Sequence, residues 1–296
     1  MQEIETAKGI KIYARAKINL SLDVVGKRSD GYHELRMIMQ QVDLYDEVDI
    51  RKTKSGILLK TDCDFVPNDE RNIAYQAAQL MMKRYRMDGG VEIHIKKNIP
   101  VAAGLAGGSA DAAAVLQGMN QLWKLEIPQQ ELMQIGLQLG ADVPFCILGG
   151  AALAEGIGEK LTPIKGIDQW VLLCKPNIGV STQEVYRNLD WETIQDHPDT
   201  QQLLKAIEDE NIYEVAGGLC NVLETVTMRM HPLVKDIKAK MMEYNALGSL
   251  MSGSGPTVFG LYKDYTKAKN AYLKLRRIYQ QTYLVKTYSG GDRGDE

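Results

Sequence analysis

The chain has 296 residues, enough for two domains of about 150 residues each, and its 45% hydrophobic and 25% charged content is that of an ordinary globular protein. A net charge of -3 excludes the basic footprint of a general nucleic-acid binder, so any anion it takes should be small. The four cysteines, Cys63, Cys146, Cys174 and Cys220, lack C-x-x-C spacing, and no apolar run reaches a bilayer span; reduced thiols, a cytoplasmic address and no membrane anchor are expected.

In chain order, residues 10 to 61 read as strands: IKIYARAKINLSLDVV, RMIMQQVDLYDEVDIRK and the shorter ILLKT, with the turn-rich GKRSDGYHEL between the first two. NIAYQAAQLMMKRYRM, residues 72 to 87, has helical spacing. A strand at Val91 to Ile99 follows, then a glycine-rich loop, a helix from about Ser109 to Trp123, and another over Pro128 to Leu139 that closes at Gly140. GADVPF and the apolar CILGGAALAEG come next, and the pattern relaxes over Thr162 to Gln169, the best domain boundary. The second half reads as a strand (WVLLCKP), several helices between Ser181 and Tyr244, a glycine turn entering a strand (SLMSGSGPTVFGLY), a helix at 265 to 279 and a last strand, TYLVKTY. That order suits a split β-α-β layout of the ferredoxin type and an α+β class. The tail GGDRGDE is expected to be disordered. The histidines, His33, His94, His197 and His231, have no metal-ligand spacing, and His94 alternates in a strand where a half-buried structural role is expected.

Chemistry concentrates first in PVAAGLAGGSADAAAV, residues 100 to 115. Gly104, Gly107 and Gly108 can adopt positive φ and expose bare amides, while Ser109 and the alanines after it favour a helix start. Convergent amides at a helix N-terminus, which carries roughly half a positive charge, form a phosphate cradle. Lys96 and Lys97, just before it, strengthen that reading over a plain strand-to-helix turn. The loop fits neither G-x-x-x-x-G-K-S/T nor G-x-G-x-x-G, and H-R-D and D-F-G are missing, which excludes a protein kinase.

Asp142, just past a helix end and held between Gly140 and Pro144 where its backbone direction is restricted, is the candidate catalytic carboxylate, although a turn or cap role would also place it there. Lys17, in the otherwise apolar AKINLSL, is either functional or an edge lysine reaching solvent; Asn19 shares its strand face. Asp30, Tyr32 and His33 cluster in the following loop, where Tyr can stack on a base and His can bond its edge, or all three can form a polar turn. The second glycine turn, Ser252 to Gly255, can add amides near a phosphate or simply join a helix to a strand.

Taken together, AKINL, the P-x-x-x-G-L-x-G-G-S-A/S loop, GADVPF and SGSGPTVF resemble, in order, the signature regions of the GHMP kinases, across about residues 12 to 287. The resemblance implies a two-domain α+β fold. A ribosomal-S5-like N-terminal domain, residues 1–164, would bind ATP and hold the catalytic groups; a ferredoxin-like C-terminal domain, residues 165–296, would bind substrate, with the active site in the cleft between them. ARAKINLSLDVVGKRSDGYHEL resembles the branch acting on a cytidine-diphosphate-linked alcohol. Carried over, the family's catalytic Asp and Lys are Asp142 and Lys17. Its ATP loop is Pro100, Val101, Ala102, Ala103, Gly104, Leu105, Ala106, Gly107, Gly108, Ser109 and Ala110. Its substrate contacts are Asn19, Tyr32, His33, the base-stacking Tyr186, and Gly253, Ser254 and Gly255.

ATP with Mg2+ is implied, with no dedicated protein ligand for the metal and Ser109 only a neighbour. The implied partner is a small-molecule substrate rather than nucleic acid or membrane, and the implied state is a monomer or weak homodimer. Ala102, Ala103 and Ala106 stand where glycines are common, so positive φ is not expected there; Ser21 and Tyr186 each replace a common Phe. Two rivals are a homoserine- or mevalonate-type kinase, opposed by the base-reading SDGYH, and a catalytically silent nucleotide-binding regulator, opposed by the presence of both Lys17 and Asp142.

Overall fold

The computed structural model describes residues 9–290. All of the GGDRGDE tail after Gly290 lies outside them. The chain divides into two compact units that interleave in sequence: the first comprises the described residues up to Arg15 with Tyr45–Val101 and Ala106–Leu148, and the second Ala16–Leu44, Ala102–Leu105 and Gly149 onward.

Two long strands, β1 (Ile10–Lys27) and β2 (His33–Thr53), contribute to both units. The first unit adds β3 (Gly56–Thr61), α1 (Ile73–Arg84), β4 (Gly90–Lys96), α2 (Gly107–Trp123), α3 (Gln129–Leu137) and α4 (Val143–Leu148). β4 runs antiparallel to β2, with Val48 opposite Ile95 and Ile50 opposite Ile93, and parallel to β3. Strict alternation buries Val48, Ile50, Val91, Ile93 and Ile95 against the helices. The same alternation turns His94 outward, so it is exposed rather than half-buried and lines a charged hollow with Asp49, Arg51, Lys60 and Glu92.

Helix α1 begins because Asn72 Oδ1 accepts the Ala74 amide at 2.9 Å, and its apolar stripe Ala74, Ala77, Ala78, Met81 is buried. The alanine-rich α2 packs on it and on the sheet. A Cβ at Gly118 would come within 2.4 Å of Ile50 Cδ1, so the helix approaches the sheet closely here and a larger residue would have to displace the tip of that side chain. VPFCIL, read from sequence as part of a loop and apolar run, forms α4, with Pro144 in its first turn where no intrahelical amide is needed.

The second unit contains β5 (Ala151–Gly156), β6 (Lys160–Ile164), β7 (Trp170–Lys175), α5 (Thr182–Arg187), α6 (Thr200–Glu208), α7 (Ile212–Gly217), β8 (Cys220–Asn221), α8 (Glu224–Met230), α9 (Pro232–Glu243), β9 (Gly248–Met251), β10 (Val258–Tyr262), α10 (Tyr265–Arg276) and β11 (Gln281–Tyr288). Its last four long strands lie in the order β11–β7–β10–β9, all antiparallel, with α9 and α10 packed on them. That fourth–first–third–second order is the ferredoxin-like layout expected from the sequence. Thr162 to Ile164, read as the start of a relaxed segment, instead completes β6 against β5. Pro163 is tolerated there because an edge strand can spare an amide.

Candidate active site

The helix after the glycine loop starts at Gly107, two residues earlier than Ser109. Its cap, Ala106, is left-handed at φ 58° and makes no side-chain hydrogen bond. Ala102 (φ 49°) and Ala106 both take the positive φ that alanine was expected to avoid, while Gly107 and Gly108 sit inside the helix, where no positive φ is needed. The tight turn therefore spends its strain on alanines, at roughly 1–2 kcal/mol each. In exchange, the amides of Gly107, Gly108 and Ser109 stand in the first turn without an i−4 carbonyl inside the helix.

Gly104 is the one loop glycine at positive φ, 73°, and an added Cβ would lie 2.2 Å from the carbonyl oxygen of Ser252. Ser252 Oγ donates to Gly104 O at 2.9 Å, so the two glycine turns are in direct contact. Lys17 is buried, not an edge lysine reaching solvent. Its Nζ donates to Asn19 Oδ1 at 2.8 Å and its backbone amide to Leu105 O at 3.1 Å. Asn19 Oδ1 is also 3.7 Å from where a Cβ on Gly253 would stand. Lys17, Asn19, Gly104, Leu105 and Gly253 thus form one contiguous patch in the second unit.

The Ser252–Gly255 turn is fixed by residues that sequence reading missed. Asn221 Nδ2 donates to the carbonyls of Met251 and Gly253, both at 2.8 Å. Thr227 Oγ1 donates to Ser254 O at 3.2 Å, and the hydroxyls of Thr182 and Ser254 are 2.7 Å apart. A lone Asn in GLCNVLE carries no local signal, because its partners are about thirty residues away in the chain.

His33 and Tyr186 stack, with centroids 5.2 Å apart and planes 25° off parallel, while Tyr32 stays 63% exposed. Tyr186 therefore meets the His33 ring, an arrangement that loop spacing alone could not foretell. Partial burial, then the nearby Lys27 charge, holds His33 below the usual histidine range, favouring the neutral ring that can both donate and accept. The Tyr32 amide donates to Asp30 Oδ1 at 3.1 Å, and Arg28 pairs with Asp30, which keeps the Asp30 carboxyl low.

In the first unit, Asp142 stands in the turn between α3 and α4, where its carbonyl accepts the Cys146 amide at 3.1 Å. Its side chain is half-buried. The same turn approaches the start of α2: a Cβ on Gly140 would be 3.9 Å from Ser109 Oγ. Pro100 is half-buried and Val101 exposed at the entrance of the loop, and Ala103, Leu105 and Ala110 are buried. Lys97, counted toward an anion site, is instead buried between two carboxylates: its Nζ bonds Asp111 Oδ2 at 2.6 Å and also Asp46 Oδ2. Burial opposes its charge, but Asp111 and Asp46 outweigh that and raise its pKa. The available signal was Asp111 itself, an acid in an alanine run too apolar to face water. Lys96 pairs with Glu47. Within the first unit, first-turn amides beside a half-buried carboxylate are groups that phosphoryl transfer to an alcohol can use, and the second unit by itself holds a buried lysine.

The family model for the GHMP kinase N-terminal domain matches residues 72–150 and that for the C-terminal domain residues 203–281, which makes this a GHMP kinase in class. A relative from Alkaliphilus oremlandii (strain OhILAs), a 4-diphosphocytidyl-2-C-methyl-D-erythritol kinase, is 58% identical over 287 residues, covering 96% of this chain and 98% of its own. The enzyme of the same name from Alkaliphilus metalliredigens (strain QYMF) is 55% identical over 284 residues, covering 95% and 98%. A crystal structure of a 4-(cytidine 5'-diphospho)-2C-methyl-D-erythritol kinase superposes with a TM-score of 0.83 at 33% identity, covering 95% of this chain and all of that one. The chain belongs to the 4-diphosphocytidyl-2-C-methyl-D-erythritol kinase family.

Proposed function

We propose that the protein transfers the γ-phosphoryl group of ATP to the 2-hydroxyl of 4-diphosphocytidyl-2-C-methyl-D-erythritol, in the non-mevalonate route to isoprenoid precursors. The observation that carries this reading is likeness over nearly the whole chain, at 55% and 58% identity, to enzymes of that name. The packing of Gly104 against Ser252, beside Lys17 and Asn19, supports the assignment of roles.

Phosphoryl transfer has a loose transition state, so the protein's work is positioning and charge neutralisation. The amides of Gly107 to Ser109 hold the nucleotide's phosphates. Asp142 orients the acceptor hydroxyl and takes its proton; Lys17 offsets the charge on the transferring group. Tyr32, His33 and Tyr186 hold the cytosine. Magnesium is proposed to accompany ATP and would offset phosphate charge there, with no dedicated protein ligand assigned and Ser109 only a neighbour. Among the described residues, no helix is long and apolar enough to cross a membrane, and Cys63, Cys146, Cys174 and Cys220 are free thiols; a cytoplasmic monomer or weak homodimer remains part of the proposal.

The deciding experiment incubates the protein with ATP, magnesium and the diphosphocytidyl alcohol. ADP and a product heavier by one phosphoryl group are expected; turnover of homoserine or mevalonate instead would overturn the substrate. Asp142→Asn and Lys17→Ala should each lower kcat by roughly 10²–10⁴-fold, with substrate KM changed far less. If the two act on one transfer, the double variant should be little worse than either single one. Near-full turnover by Asp142→Asn would refute its role.

A further inference from the structure

Lys97, Asp46 and Asp111 form a buried cluster with side-chain exposures of 7%, 0% and 3%. It ties the glycine loop to the sheet. Asp46 Oδ1 accepts the amides of Asn98 at 2.5 Å and Ile99 at 2.8 Å, and Asn98 Nδ2 donates to Tyr45 O at 2.9 Å, so the residues entering Pro100 hang from β2. The cluster also touches the start of α2: Lys97 Nζ lies 3.6 Å from where a Cβ on Gly107 would stand, and Asp111 is one turn further along the same face.

Its charges do not balance. With both acids ionised, one ammonium faces two carboxylates, and Asp111 Oδ1 is buried with no hydrogen-bond partner. An orphaned, buried carboxylate oxygen is costly unless it carries a proton. The excess negative charge, when present, belongs to a residue about 3 to 6 Å along the helix axis behind Ser109, Gly108 and Gly107.

We propose that Asp111 is a positioning residue for the nucleotide phosphates, and that its proton, held or released, sets how strongly the first turn of α2 attracts them. This rests on reading Gly107 to Ser109 as the phosphate cradle. The exchange is simple: the carboxylic acid gives its proton to solvent and becomes the carboxylate, with no other bond changed. Burial raises the Asp111 carboxyl to about 8, despite the attraction of Lys97 and with Asp46 adding to the rise. The charged groups facing it are Lys97 and Asp46; Asp62 takes the Lys97 amide at 2.8 Å, and the α1 residues buried against the core, Ala74, Ala77, Ala78 and Met81, are neutral. Below that pH the cluster is neutral and the helix dipole is unopposed. Above it, one negative charge repels the incoming polyanion.

The test compares the parent enzyme with Asp111→Asn, a neutral isostere, measuring kcat, ATP KM and alcohol KM from pH 6.5 to 9.5. Parent ATP KM should rise between pH 7 and 9.5 by roughly threefold to a hundredfold, the Coulomb range for one unit charge about 6 Å away at effective dielectric constants of about 80 to 20. In Asp111→Asn that rise should vanish, with alcohol KM following the same profile in both. A purely structural role would leave the pH profile of ATP KM alike in the two proteins, and that result would overturn the inference. A second readout needs no variant and no turnover: the carboxyl carbon of Asp111, followed by NMR in the parent, should titrate near pH 8, and titration below about pH 5 would overturn it as well. A parent inactive with ATP at every pH would refute the cradle reading and this inference together. Turnover with a profile indifferent to Asp111→Asn refutes this inference alone.

Discussion

Gly104→Ala probes the contact on which the loop depends. Gly104 takes φ +73°, where alanine costs roughly 1–2 kcal/mol. Its new Cβ would stand 2.2 Å from Ser252 O and 3.1 Å from Gly255 N, both backbone atoms that cannot rotate away. Relief requires the two turns to separate by more than 1 Å, an overpacking cost of about 1–3 kcal/mol. That movement also breaks the 2.9 Å bond from Ser252 Oγ to Gly104 O. The total is about 2–5 kcal/mol. Gly56→Ala is the matched control: its φ is +75° but nothing lies within 4 Å, so only the torsional part, roughly 1–2 kcal/mol, applies. Denaturant midpoints for the two variants, read with kcat, separate the terms. Gly104→Ala should be less stable than Gly56→Ala by at least 1 kcal/mol and should lose at least tenfold in kcat, because a displacement of 1 Å near reacting groups is worth about 10²-fold. Equal stability and activity in the two variants would refute the packing argument.

Asn221→Ala removes two hydrogen bonds to buried carbonyls and should cost about 2–4 kcal/mol of stability in denaturation, with substrate KM raised as the Ser252–Gly255 turn loosens. Tyr186→Ala removes the ring stacked on His33 and should raise substrate KM by roughly one to two decades through lost base stacking, with ATP KM unchanged. His33, depressed by burial and Lys27, charges less readily in the folded protein than in the unfolded chain. Its share of stability is therefore complete above about pH 6.5 and lost as the pH falls below that; His33→Gln should flatten this part of the stability profile in denaturation measured from pH 7.5 to 5.5. Thr182→Val cuts the link to Ser254 Oγ and should raise alcohol KM more than it lowers kcat in steady-state assays.

Much of the fold was legible because its information is local. Period-two runs gave β1, β2 and β4, and helical spacing gave α1; the ferredoxin-like order followed from the sequence of strands and helices. Errors came where a neighbour distant in the chain decides. Alternation located His94 but could not say which face of its strand is covered. Ala102 and Ala106 take positive φ against alanine's own preference, which no residue-by-residue propensity foretells.

Residue types alone announced the glycine loop, the fixed Asp142, the out-of-place Lys17 and the Tyr32–His33 loop, since glycine, proline and misplaced charge mark the backbone at the position they occupy. Only the fold decided that Gly104 rests on Ser252, that Asn221 holds the second glycine turn, and that Lys97 is consumed by Asp46 and Asp111 rather than left to meet an anion. Those are pairings between residues 14 to 148 positions apart, and a hydrogen bond or an ion pair depends on distance in space, which no local pattern encodes.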